Sequence, residues 1–146
     1  MDFNSYQELA KQTDKCVTLY YKEICTECKG DGKTHVLLDD AWSPCQDCEG
    51  KGEFYLPLTW VYPTLGLAGE MGEVAEKIKK SIRDDLGHMN SERRELLIKE
   101  LGDCLWYIAM VAEKIGVPFN EVAEGNLDKL FSRKARGVLS GDGDKR

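Results

Sequence analysis

The stretch GLAGEMGEVAEKIKK at residues 66–80 decides the fold, because it combines an apolar helical face with two acidic residues. At about 100° per residue, the apolar side chains fill one arc of a helix. Glu70 lies at the edge of that arc, and Glu73 lies about 60° beyond it. The members of the arc are Leu67, Met71, Val74, Ala75, Ile78 and Ile82. The pattern predicts an amphipathic helix that carries a carboxylate pair beside its apolar face.

The stretch ELLIKELGDCLWYIAMVAEKIG at residues 95–116 repeats this arrangement, with Glu100 and Asp103 in the places of Glu70 and Glu73. Its apolar arc contains Leu97, Leu101, Cys104, Leu105, Ile108, Ala112 and Ile115. If the two faces pack together, four carboxylates converge at one rim of the core. Such a cluster is costly unless a cation lies within it, and all-oxygen ligands suit Mg²⁺ or Mn²⁺. The alternative is solvated acids on ordinary amphipathic helices.

These segments resemble the MazG-type nucleoside triphosphate pyrophosphohydrolases. The tail NLDKLFSRKARGVLSGDGDKR, at residues 126–146, resembles the C-terminal signature of small single-domain members. The resemblance covers roughly residues 3–21 and 58–146. It implies that Glu70, Glu73, Glu100 and Asp103 bind Mg²⁺, or Mn²⁺, and that a nucleoside triphosphate is hydrolysed to the monophosphate and pyrophosphate. Many members have a second glutamate before the first motif residue, where this chain has Gly69.

Five further residues are candidate substrate contacts: Lys77, Tyr107, Lys129, Arg133 and Arg136. Lys77 can meet a phosphate or pair with Glu73 one turn earlier. Trp106 and Tyr107 can stack on a base or contact a sugar, or simply pack in a core or dimer interface. The resemblance places a nucleotide contact near Tyr107. It implies that Lys129, Arg133 and Arg136 reach the phosphates, although such residues form a solvated basic face in most proteins. It also implies that the GDGDKR segment at 141–146 closes over the site.

Two C-x-x-C pairs interrupt the helical pattern, Cys25/Cys28 and Cys45/Cys48, with sixteen residues between them. This spacing predicts a structural Zn²⁺ site, whereas disulfides or a redox pair are the alternatives. Each pair has the form C-x-x-C-x-G-x-G, which resembles the zinc-binding repeats of DnaJ-type chaperones and implies metal binding. Because four cysteines complete a tetrahedral site, His35 is interpreted as a surface residue.

The predicted fold is all-α: a four-helix MazG-like domain at residues 1–21 and 58–146, with a small zinc-ribbon-like insert at 22–57 between helices one and two. Asn4 is predicted to be the N-cap of helix one, with Gln7 as its capping-box partner. Helix one is expected to reach Tyr21, and Asn120 to cap helix four. Helix two is expected to have Pro63 in its first turn and to end near Asp85, and helix three to span Glu92 to Lys114. The segments Asp39–Trp42 and Phe54–Leu58 are expected to form short strands or to cover the zinc-ribbon-like insert.

The 146 residues carry a net charge of −6, which argues against general binding of nucleic acid. No apolar run approaches the ~20 residues that span a membrane, and the N-terminus lacks the features of a secretory signal, so a cytoplasmic protein is expected.

The resemblance implies a homodimer or homotetramer. The alternative function is a non-catalytic zinc-ribbon binding module on a helical dimerisation scaffold, which Mg²⁺-dependent turnover would exclude.

Overall fold

A computed structural model describes residues 1–36 and 41–140, which form two compact units, each treated by itself below. The helical unit combines residues 1–16 with the chain from residue 62 onward, and the second unit spans 17–61. The helices are α1 Phe3–Lys11, α2 Val61–Asp85, α3 Ser91–Lys114 and α4 Phe119–Ala135. The strands are β1 Leu19–Ile24, β2 Lys33–Val36, β3 Ala41–Pro44 and β4 Glu53–Leu58. Within the described ranges, none of the helices has the length and apolar character needed to cross a bilayer.

Four helices are present as predicted, but the all-α class is wrong in part because the insert contains two small sheets. The prediction that helix one reaches Tyr21 is also wrong, since α1 ends at Lys11. The Asp14 side chain accepts a hydrogen bond from the Cys16 amide at 2.8 Å, which turns the chain after the helix. The following LYYKEI segment is rich in aromatic residues and pairs with β4 as a strand.

The predicted N-caps of α1 and α4 are both wrong. Asp2 caps α1 and accepts a hydrogen bond from the Ser5 amide at 2.8 Å, while Pro118 holds the N-cap position of α4. Asn4 and Asn120 instead bind each other. The Asn120 amide donates to Asn4 Oδ1 at 2.8 Å, and the Asn4 amide donates to Asn120 Oδ1 at 3.0 Å. Each side chain therefore satisfies an exposed amide at the start of the other helix.

Gln7 is buried and does not form a capping box. Its Nε2 donates to the Val117 carbonyl at 3.1 Å, and its Oε1 accepts from the Phe119 amide at 3.0 Å. These bonds tie α1 to the connection between α3 and α4, where backbone groups would otherwise be buried without partners. Gln7 is thus a structural residue of the helical unit.

The core of the helical unit lies where α1, α3 and α4 meet. Its buried residues are Ala10, Ala109, Met110, Ala112 and Phe119, with Tyr6, Leu105 and Trp106 packed against them. The predicted apolar arcs of α2 and α3 are only partly covered. Met71, Ile82 and Leu101 remain half exposed or more. The chain thus leaves apolar surface on both helices that carry the predicted carboxylates.

The second unit consists of two antiparallel two-stranded ribbons. Strand β1 pairs with β4 from Leu19 opposite Leu58 to Ile24 opposite Glu53, and β2 pairs with β3. The predicted Phe54–Leu58 segment corresponds to β4. Of the predicted Asp39–Trp42 segment, residues 39 and 40 lie outside the described residues, and the last two residues belong to β3. Two-stranded sheets are marginal alone, and the buried cluster of this unit consists of the four cysteines described below, with Phe54 packed against them.

Candidate active site

Three carboxylates converge between α2 and α3. Glu70 on α2 and Glu100 and Asp103 on α3 each offer one oxygen, and these oxygens all lie within 4.8 Å of one another. Glu100 and Asp103 share one face of α3 because they are three residues apart. A short connection folds α3 back along α2, and Arg93 Nε donates to Asp85 Oδ2 at 2.7 Å beside that connection. This helical hairpin brings Glu70 to the Glu100–Asp103 pair.

The cluster concentrates negative charge in the helical unit. Burial raises the pKa of Glu70, and the charges of Asp103, Glu100 and Glu73 raise it further. An upward shift means that the ionised carboxylate is destabilised by its surroundings. The oxygens of the cluster are hard ligands of the kind that Mg²⁺ and Mn²⁺ prefer. The donor set and the repulsion among its carboxylates therefore fit a divalent cation.

Glu73, the fourth predicted ligand, is connected to this cluster through Lys77. Lys77 Nζ lies 3.0 Å from Glu100 Oε1 and 3.7 Å from Glu73 Oε2. The Glu73 side chain is 57% exposed, against 17% for Glu100. The hydrogen bond to Glu100 raises the pKa of Lys77, so that its ammonium stays charged. Lys77 thus makes the predicted helical pair and, in addition, bridges α2 to α3.

Tyr107 lies close to the cluster and packs onto α2. A β-carbon added to Gly66 would lie 2.1 Å from Tyr107 Cε1, so only glycine permits this approach. Burial raises the pKa of the Tyr107 hydroxyl, and the charge of Glu70 raises it further. Trp106 packs against the core, and its Nε1 donates to Thr13 Oγ1 at 2.8 Å. Of the two aromatic candidates, Tyr107 is therefore the one beside the acidic residues.

A cavity of about 410 Å³ opens among α1, α3 and α4. It is lined by Met1, Asp2, Phe3, Tyr6, Leu105, Asn120, Ala123, Glu124 and Leu127. Burial and, second, the charge of Asp103 raise the pKa of Tyr6, which places this wall of the cavity within electrostatic reach of the cluster. The sequence does not indicate this cavity, because Phe3 and Tyr6 have the spacing of ordinary core residues.

The predicted phosphate contacts of the basic tail lie on α4 or at its C-terminal end. Lys129 and Arg136 are exposed, whereas Arg133 is 5% exposed and counts among the buried residues. Their spacing of four and three residues gives them one side of the helix. Their contact with phosphate stays a prediction. The GDGDKR segment at 141–146 lies outside the described residues.

The four insert cysteines form a second candidate metal site. Their thiols lie within 4.8 Å of one another, and all four residues are buried. They are not bonded as disulfides, since Cys25 Sγ lies 3.8 Å from Cys45 Sγ and Cys28 Sγ lies 3.7 Å from Cys48 Sγ. Four converging sulfurs suit a tetrahedral thiophilic ion. His35 is exposed, and its ring contacts Trp42.

Backbone amides support the thiols in the same way in both repeats. Gly32 N donates to Cys28 Sγ at 3.3 Å, and Gly52 N donates to Cys48 Sγ at 3.2 Å. Both glycines have positive φ, and a β-carbon on Gly32 would lie 2.3 Å from the Gly50 carbonyl oxygen. The glycines of the C-x-x-C-x-G-x-G repeats are thus required by backbone conformation and by the close approach of the two repeats.

Comparison with known proteins identifies the helical unit. The MazG nucleotide pyrophosphohydrolase domain matches residues 63–138, a span that contains all four predicted acidic ligands and excludes the cysteine insert. The "Gene 37 protein" of Mycobacterium phage L5 is 49% identical over 85 residues, which is 58% of this chain and 75% of the phage protein. Its name states no activity. No solved structure matches the chain.

Proposed function

Since this chain belongs to the MazG nucleotide pyrophosphohydrolase family, we propose that it hydrolyses nucleoside triphosphates, of the ribo or deoxyribo series, to the monophosphate and pyrophosphate. The observation that carries the proposal is the convergence of the Glu70, Glu100 and Asp103 carboxylates within 4.8 Å. A scaffold with no catalytic role has no need of three mutually repelling acids at one place.

Glu70, Glu100 and Asp103 would hold the divalent cation, with Glu73 as a fourth ligand. When bound, Mg²⁺ or Mn²⁺ supplies Lewis-acid chemistry that activates water and offsets phosphate charge. The protein itself would supply the group that accepts the proton of the attacking water. One of the glutamates of the cluster would accept that proton as the general base.

The substrate would lie across the acidic cluster, with its nucleoside in the neighbouring cavity. The cavity walls include the apolar side chains of Phe3 and Leu105, which suit a base, and the amide of Asn120, which can hydrogen-bond to it. We assign Tyr107 to the sugar or base. Lys129, Arg133 and Arg136 would bind the β- and γ-phosphates and so stabilise the charge on the departing pyrophosphate.

The reaction in ¹⁸O-water tests the proposal. Attack at the α-phosphorus puts the label in the monophosphate and produces pyrophosphate without free orthophosphate. Label found only in pyrophosphate or orthophosphate would refute the proposed bond cleavage, even in an active enzyme. Screening a nucleotide panel for pyrophosphate release, with and without Mg²⁺, would then identify the preferred base and sugar.

For the insert, we propose a structural Zn²⁺ bound by Cys25, Cys28, Cys45 and Cys48. The burial of the four thiols and the paired amide hydrogen bonds support a closed site with no open coordination position. Such a site stabilises a fold and does not perform chemistry. The insert also lies outside the matched domain, so we assign it no part in hydrolysis.

We further propose that the chain works as a homodimer or homotetramer. Met71 and Ile82 on α2 and Leu101 on α3 remain half exposed or more, although they belong to the apolar arcs. A second copy is the simplest cover for apolar faces on both helices of the carboxylate hairpin. Sedimentation velocity measures the assembly state, and a monomer at micromolar concentration would contradict this proposal.

A further inference from the structure

Lys77 is placed differently from the other lysines of α2. Its Nζ contacts Glu100 on α3 at 3.0 Å and Glu73 on its own helix at 3.7 Å. Lys80, one turn later, pairs with Glu76 at 3.2 Å, and Lys79 also pairs with Glu76. Among the ion pairs of the described residues, those of Lys77 are the ones that reach the carboxylate cluster. The Lys77 side chain is 20% exposed, so water screens this pair less than a surface pair.

The Lys77 ammonium neutralises the same carboxylate that a divalent cation would use. Glu100 Oε1 accepts from Lys77, while Glu100 also belongs to the group of three oxygens within 4.8 Å. An ammonium and a doubly charged cation on one carboxylate repel each other strongly at such distances. Lysine has a flexible stem and a single compact charge, so it can leave one partner and reach another.

We propose that Lys77 is an exchangeable counter-cation, which pairs with Glu100 in the metal-free protein and leaves Glu100 when a divalent cation binds. The inference rests on the proposed function only in that the cluster binds metal. In the metal-free state, Lys77 offsets part of the repulsion among the acids and holds α2 against α3. In the loaded state, its ammonium is free to contact the phosphates of an arriving nucleotide.

A lysine that competes with the metal makes a distinctive prediction about affinity. Removing a lysine that only supports the site would loosen the carboxylates and weaken metal binding. Removing a competing cation strengthens metal binding, because the ion no longer has to displace it. The direction of the change therefore separates the two roles.

The test is an Mn²⁺ titration of the full-length protein without nucleotide, in which free Mn²⁺ is followed by electron paramagnetic resonance. Lys77→Met removes the charge and keeps a chain of similar length. Lys80→Met is the matched control, because it removes the same charge from the same helix and from a pair outside the cluster. We expect Lys77→Met to bind Mn²⁺ about threefold to tenfold more tightly than the wild type, the size of one partly screened ion pair. Lys80→Met should stay within about twofold.

The proposal would be overturned if Lys77→Met bound Mn²⁺ as tightly as the wild type or more weakly, or if Lys80→Met tightened binding by the same factor. Circular dichroism checks that the variants fold, and Lys77→Gln provides a second neutral side chain if the methionine variant does not. The metal-free Lys77→Met protein should also melt below the wild type and gain more from Mn²⁺. No nucleotide is present in this test, so the protein could pass it even if it had no pyrophosphohydrolase activity. Failure of this proposal can therefore be distinguished from failure of the proposed function.

Discussion

The ring of Tyr107 occupies the space that a side chain on Gly66 would need. A β-carbon at Gly66 would lie 2.1 Å from Tyr107 Cε1 and 2.4 Å from Cζ. The ring therefore rests directly on the backbone of α2, within reach of the Glu70 charge that helps to raise its pKa. This approach joins α2 to α3 beside the carboxylates, where few fully buried residues hold the two helices together.

Gly66→Ala should therefore destabilise the protein, whereas Gly69→Ala should stabilise it. The added methyl group at residue 66 must displace the ring, at a cost of about 1–3 kcal/mol. A β-carbon at Gly69 meets nothing within 4 Å, so the higher helix propensity of alanine should contribute about 0.5–1 kcal/mol there. Urea unfolding of both variants measures the difference. Equal stability of the two would show that Tyr107 does not depend on Gly66.

Asp103→Asn should abolish turnover while the fold stays intact. Losing one charged ligand should lower kcat/KM by about 100-fold or more, since metal catalysis supplies several kcal/mol of charge stabilisation. The metal-free variant should melt at the wild-type temperature or above it, because one repelling charge is gone. Glu76→Gln is the control, since Glu76 pairs with Lys79 and Lys80 outside the cluster. An Mg²⁺-induced rise in melting temperature equal to that of the wild type would contradict the assignment of Asp103 as a ligand.

Glu70→Gln should stabilise the metal-free protein in a pH-dependent way. The pKa of Glu70 in the folded protein is raised above its ordinary value of 4.5, so the folded state binds this proton more readily than the unfolded state. Stability contributed by the protonated form is lost as pH rises through the raised pKa. At pH 7 with EDTA the variant should melt about 2–4 °C above the wild type, and the gap should close as pH falls toward 4.5. A constant gap would exclude this titration as its cause.

One tightly bound zinc per chain is expected in protein purified without added zinc. Cys48→Ser should lose it, because the serine hydroxyl is a poor substitute for a thiolate ligand. Cys16→Ser is the control, since Cys16 lies outside the cluster and burial raises its pKa to about 11, which keeps it a neutral thiol. Elemental analysis gives the stoichiometry. Protein with no zinc and with six titratable thiols would show that the insert is not a metal module.

Local patterns predicted the long helices α2 and α3 well, but they predicted the end of α1 and the N-caps of α1 and α4 wrongly. The 3.6-residue period fixes α2 and α3, because each carries its own apolar arc over about four turns or more. Asn4 and Asn120 do not cap their own helices, because they exchange hydrogen bonds with each other across 116 positions of sequence. Strand β1 was missed for the same reason. Cys16, Val17 and Tyr20 have helical spacing, but pairing with β4, more than thirty residues away, decides the conformation.

The same distinction applies to the candidate site, where some features follow from local spacing and others from packing. Glu100 and Asp103 lie together because of local helical spacing, so the sequence alone could single them out. The bridge from Lys77 to Glu100 and the cavity beside Tyr6 depend on how the four helices pack, which no local pattern records. The burial of Arg133 also depends on packing and not on local sequence, since its neighbours Lys134 and Ser132 are exposed.

The register of the β1–β4 ribbon bears on how such an insert could be gained or lost. Leu19 lies opposite Leu58, so the chain enters and leaves the cysteine module at adjacent points. A module whose ends meet can be added to an existing connection, or deleted from it, without changing the span that the connection must bridge. Residues 19–58 thus have the geometry of a module that can be inserted into a loop. A short turn joining residues 18 and 59 would give a helical domain without the insert, and the module itself could be grafted into the loops of other proteins.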